Sequence, residues 1–261
     1  MNGRTLALAG GVALFAAAIA VWTASQFQSP PPPAAVARTA PQPQAQAPAA
    51  PAQTGPAGEY SAYVTAEAAA FADAVKDARA AFAAGDTPKG VAAIASARIH
   101  YQRFSPVVPF LTTPKPPNLA GLYGGLADLG EVPRGIVIAG LAGAAADVRS
   151  RVAALRFTPA DILMSAALRL DAVATADAGA EDLPAMVEGV AKAVSLFKGR
   201  LVDPALAARL RDHQAQLEAA AVKLAANAAA ATAAPGAALD APATALSADI
   251  KEFAESLGLL N

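Results

Sequence analysis

The sequence predicts an all-α fold, antiparallel helical bundles behind an N-terminal membrane anchor. Three observations predict it. Cap-plus-proline helix starts recur at Thr87-Pro88, Thr158-Pro159 and Asp203-Pro204, each a side-chain cap followed by a proline at the first helical position. Apolar residues recur three and four apart over roughly 200 residues, in a background rich in alanine, the best helix former. No stretch of useful length alternates apolar and polar residues as a half-buried strand does.

The elements follow in order. Residues 6–22, LALAGGVALFAAAIAVW, carry no charge; Arg4 precedes them and the next charge is Arg38. Such a run is a membrane-targeting segment, and the basic flank keeps its start in the cytoplasm. The TAS at 23–25, close to bulky Trp22, is a poor cleavage site. An uncleaved anchor over 1–27 is therefore expected, with a cleaved signal peptide as the alternative; either way the remainder is exported to the periplasm. Residues 28–58 are rich in proline, alanine and glutamine and hold no aromatic residue. They cannot bury enough surface to offset their ordering entropy and read as a disordered linker. The folded domain is expected over 59–261.

Its first helix is expected over Glu59–Ala84, marked by Tyr60, Tyr63, Val64, Phe71, Val75 and Phe82 and ended by Gly85-Asp86. Thr87 caps the second. TTPKPPN, 112–118, is a loop, and the Gly-rich stretch 119–129 is at most a short helix. Residues 133–155 form a helix whose early half, GIVIAGLAGAAA, is nearly all apolar and is expected to be buried between other helices. Further helices are expected over 158–175, 183–201, 203–232 and 245–257, with loops at 176–182 and 233–244.

Composition excludes several functions. There is no cysteine, so no disulfide, thiolate metal site or lipid-modified cysteine exists. The net charge is −1 with no basic block, which speaks against nucleic acid as a partner. With two histidines and no His-Glu-x-x-His, the sequence offers neither a zinc-peptidase site nor a hydrolase triad in register, and an enzyme is not expected.

The polar exception is ASARIHYQRFSPV, Ala95–Val107. On a helix, Ile94, Ala97, Tyr101, Phe104 and Val108 form one apolar stripe. Tyr101 then points inward, Arg98 reaches a carboxylate on another helix, and His100 lies at the surface. The same stretch carries a resemblance. Gly85-Asp86, then Ala97-Arg98, Tyr101, Arg103 and Pro106-Val107 resemble the opening signature of the imelysin-like family, which includes periplasmic iron-uptake components of the EfeO type. Residues 148–175 with their Leu-x-Phe-Thr-Pro turn, 181–201 with Gly189, Lys192 and Ala193, 203–219 and 246–258 are similar to later family segments. The resemblance implies packed antiparallel helices in two related bundles and an exported protein that binds iron and works with a permease or peroxidase of an uptake system.

The sequence departs from that family at the metal. The family's hallmark His-x-x-Glu, whose spacing lets imidazole and carboxylate share a helix face, is absent; Arg134 and Val137 stand in its place. A guanidinium cannot ligate a metal and valine has nothing to donate. Gln102 and Ser105 replace glutamates of the signature, and Ala172 another. Of the acidic residues Glu181, Asp182 and Glu188 remain, Glu181 and Glu188 being the metal-ligand candidates, with Arg98, Tyr101, Arg103 and Arg134 as family-signature or binding residues; Arg134 is also a candidate for holding an anion. Two functional readings follow: a membrane-tethered accessory or weak metal-binding component of iron uptake, or a cell-envelope helical scaffold that has lost metal binding.

Overall fold

The computed structural model describes residues 53–111, 119–173, 180–227 and 239–260; the expected anchor and nearly all of the expected linker lie outside them. The described residues form helices and connecting turns, with no strand among them. No described helix is long and apolar enough to cross a membrane.

Helix α1, Gly55–Ala83, begins earlier than expected. Gln53 is the reason: its side chain donates to the Phe157 carbonyl at 2.8 Å and accepts from the Phe157 amide at 3.3 Å, which fixes the chain before the first turn. The helix stops where Gly85 takes φ 77°. The Asp86 amide then bonds to Ala81 O and the Gly85 amide to Phe82 O, a Schellman ending that only glycine enters without strain. Helix α2, Thr87–Phe104, is capped by Asp86, which accepts from the Lys89 amide at 3.1 Å. Thr87 is thus the first helical residue and not the cap, because Asp86 stands the right distance from the orphan amide. The two helices form an antiparallel hairpin, with Phe71 near Tyr101 and Phe104 and Phe82 over Gly90. A 3-10 segment, Ser105–Leu111, prolongs α2.

Of the stretch 119–129, only Ala120–Leu122 is helical, as a 3-10 turn. Helix α3, Glu131–Ala154, packs on α1 through Ile138, Leu141, Ala145, Val148 and Val152. It is not buried on all sides as expected. Val132 is 74% and Ile136 49% exposed, and a Cβ on Gly135, Gly140 or Gly143 would meet open space. The apolar run is one-sided because α1, on one flank, is its chief helical neighbour. Each exposed glycine costs the helix about 1 kcal/mol relative to alanine.

Helices α4 (Pro159–Asp171), α5 (Leu183–Ser195), α6 (Pro204–Ala226) and α7 (Asp240–Ser256) form a ring in which each packs on the next and α7 closes on α4. Thr158 caps α4 in a reciprocal box with Asp161, and Asp203 caps α6, as expected from their proline starts. A 3-10 turn, Ala180–Asp182, precedes α5. The group α1–α3 joins the ring chiefly through α2 and α5. These two run parallel: Arg98 meets Glu181 and Asp182, while Arg103 meets Glu188. One continuous core, from Tyr60 to Phe253, fills both groups.

Candidate functional site

The α2–α5 contact holds most of the residues singled out in the sequence. Gly189 makes it close. A Cβ there would lie 2.2 Å from the Arg103 carbonyl oxygen, so glycine is the only residue that lets α5 lie against the α2 backbone. That approach places the flanking side chains. Arg103 Nε donates to Glu188 at 2.7 Å and its Nη1 lies 4.0 Å from Glu67 on α1. His100 Nδ1 is 2.7 Å from the same Glu67. Burial works against the Arg103 charge, but the hydrogen bond and charge of Glu188 outweigh it and hold the guanidinium more firmly protonated. Tyr63 faces this group. Burial, and then the Glu67 carboxylate, push its hydroxyl well above the ordinary phenol range. Lys192 lies 5.9 Å over its ring.

A second network lies nearer the start of α5. Arg98 Nη2 donates to Glu181 at 2.8 Å, and Arg98 Nε is 3.4 Å from Asp182, whose side chain is 2% exposed. Gln102 is fully buried; it accepts from Arg169 at 2.7 Å and donates to the Tyr123 hydroxyl. Burial raises the Tyr123 hydroxyl far above its ordinary value, against a smaller lowering by Gln102. Tyr101 keeps its place on the inward apolar stripe, partly buried against Phe71 and edge-on to Phe104, while the fully buried Gln102 beside it turns to a second, polar contact. His100 is not a plain surface histidine, since it is half-buried against Glu67.

Arg134 is elsewhere. It donates to Thr87 Oγ1 at 2.9 Å and to the carbonyls of Ala127 and Leu129, under the ring of Phe82 at 5.2 Å. Thr87 and Arg103 are about 24 Å apart along α2 at 1.5 Å per residue, so the signature residues do not form one site. Arg134 pins the turn before α3 to the start of α2. Val137, in the place of the hallmark glutamate, packs beside Gly121.

The carboxylates that could hold a cation are engaged: Glu181 by Arg98, Glu188 by Arg103, and Glu67 by His100. Among the described residues no three His, Asp or Glu side chains gather closely enough to hold a metal ion. Sequence reasoning missed Glu67, Tyr123 and Arg169. It also missed a group on α6 and α7, where buried Asp249 receives His213 Nδ1 at 2.7 Å and Arg209 Nε at 3.2 Å. Tyr123 and Arg169 had no readable cue, because Gln102, the buried amide that gathers them, lies off the apolar stripe in the sequence. Compared with known proteins, the chain matches no family model and no curated protein is significantly similar to it.

Proposed function

We propose that the chain is a membrane-tethered helical interaction module of the cell envelope, imelysin-like in build, in which arginine–carboxylate pairs stand where a metal-binding relative keeps its carboxylates free. The observation that carries this reading is the engagement of both candidate ligands, Glu181 by Arg98 at 2.8 Å and Glu188 by Arg103 at 2.7 Å. A guanidinium stays charged at any physiological pH and keeps its hold on the carboxylate. A hard cation such as iron needs several oxygen ligands at once and would have to break both pairs to find two. What remains is a polar seam joining α2 to α5, a structural use of the signature residues. The order of the signature segments supports the imelysin-like build; the uncharged run 6–22 and the proline-rich segment after it support the tether.

Isothermal titration of the full chain with ferric citrate, beside Glu181→Ala/Glu188→Ala, tests the reading. Neither protein is expected to give saturable heat. One-to-one micromolar binding that the double variant loses overturns the proposal and restores the other reading, an accessory metal-binding component of iron uptake that serves a permease or peroxidase.

A further inference from the structure

A cleft of about 290 Å³ opens between the end of α1 and the start of α3. The two helices run antiparallel there. Asp73 of α1 meets Arg149 near the end of α3, while Arg79 and Phe82, further along α1, line the cleft with Glu131 and Ile138 from early α3. The space equals about ten waters at their liquid share of roughly 30 Å³ each, which is room for a small molecule. Phe82 and Ile138 are buried and give it an apolar floor. Gly135 lies on the α3 wall, and a Cβ there would meet open space, so its missing side chain is part of the opening.

The charges on the walls set this cleft apart. At other helix contacts facing charges close into pairs: Arg98 with Glu181 and Arg103 with Glu188 between α2 and α5, Arg209 with Glu252 between α6 and α7. Arg79 and Glu131 do not. Both are exposed and both line the cleft, and neither side chain makes an ion pair or a hydrogen bond among the described residues. Unpaired charges are ordinary on an open surface. Over an apolar floor, on facing walls of one cleft, they give it a positive side and a negative side. Arg134 adds to the positive side. Its guanidinium is held by the Thr87 hydroxyl and two carbonyls, none of which balances its charge. Two arginines against one glutamate leave the cleft with one positive charge in excess.

A ligand that answers these features carries a carboxylate for Arg79, an ammonium for Glu131 and a short apolar group for the floor. A guanidinium takes a carboxylate through two parallel N–H donors, and an ammonium donates to a carboxylate. An α-amino acid with an apolar side chain carries all three groups on one carbon. We propose that the cleft binds such an amino acid, its carboxylate on Arg79, its ammonium on Glu131 and its side chain against Phe82 and Ile138. The site shares no residue with the α2–α5 seam and stands whatever Glu181 and Glu188 hold. Its charged contacts are open to water, so each contributes about fivefold or less in affinity.

Leucine is the probe, beside isocaproate, which lacks the ammonium, and isoamylamine, which lacks the carboxylate. Saturation-transfer NMR on the full chain in detergent follows the methyl groups that all three share. Leucine is expected to bind tightest, isocaproate about fivefold more weakly, and isoamylamine more weakly again because of the excess positive charge. Glu131→Gln is expected to bring leucine down to the level of isocaproate, and Arg79→Gln to that of isoamylamine. Both replace exposed, unpaired side chains and leave the fold intact. Gly135→Leu is expected to fill the cleft and abolish the binding without lowering Tm, since leucine is the better helix former; in the same detergent it also gives the signal due to micelles alone. Three results overturn the proposal: no saturable signal above that of Gly135→Leu, leucine binding no tighter than both analogues, or leucine binding that neither Arg79→Gln nor Glu131→Gln weakens.

Discussion

Gly189 on α5 and Gly140 on α3 are both helical glycines, and they have opposite reasons to exist. Gly189 is buried against a neighbouring backbone, where a methyl group would sit 2.2 Å from a carbonyl oxygen. Gly140 faces open space and weakens its own helix. The first belongs to a seam closed inside the chain, the second to a surface that nothing among the described residues covers. A glycine in a helix therefore carries meaning only together with what its missing Cβ would touch.

Substitutions at the two surfaces turn the contrast into numbers. The largest effect is expected for Gly189→Ala. The obstructing atom is backbone, so α2 and α5 must part, at a cost of about 3 kcal/mol. In a domain of this size that lowers Tm by about 6–12 °C. A melting curve unchanged from the parent would dissolve the contrast at its source. Gln102→Leu comes next. It strips the acceptor from Arg169 and the donor from Tyr123 in a buried place, at a cost of about 2 kcal/mol in urea unfolding. Gly140→Ala is expected to do the reverse of Gly189→Ala. Measured at dilution, it should stabilise the chain by up to about 1 kcal/mol and raise Tm by about 2–4 °C; a loss of stability would place an unseen contact on that face. Glu188→Gln should change little, under about 1 kcal/mol, since the glutamate end of its pair with Arg103 is mostly exposed; the difference should shrink further in high salt.

The contact of α4 with α7 serves as a control for pH. Partial burial pushes the Asp171 carboxyl up, but hydrogen bonds from Lys251 and Ser247 outweigh it and hold the group below its ordinary value. A depressed carboxyl contributes stability above its unfolded-state value of about 3.9, and that contribution is lost as pH falls through the lower folded value. Lys251→Met should move the Asp171 titration, followed by NMR, back upwards while leaving the α2–α5 seam untouched. No movement would show that Lys251 does not govern it.

The helical class was legible because capping chemistry is local. The starts at Thr158 and Asp203 lie where their prolines place them, and the second helix differs by a single residue because Asp86 outcompetes Thr87 for the cap. Arg98 turning to an interhelical carboxylate was legible as well. What one chain segment cannot reveal is which neighbour it meets. Nothing in GIVIAGLAGAAA tells a helix flanked on all sides from one covered on a single flank. The parallel run of α2 beside α5 depends on residues more than 80 positions apart. Gln102 is buried because Tyr123 and Arg169 arrive from elsewhere in the chain to pair with its amide.

The clamp of Gln53 on Phe157 has a mechanical consequence. These residues lie 104 positions apart, yet Gln53 is where the N-terminal segment enters the described fold. A pull transmitted through that segment reaches the Gln53 side chain before it reaches the first turn of α1. Two hydrogen bonds pass part of the load to the turn between α3 and α4. The helix is thus spared from fraying one residue at a time, and the two bonds act as a strain relief at the point of entry.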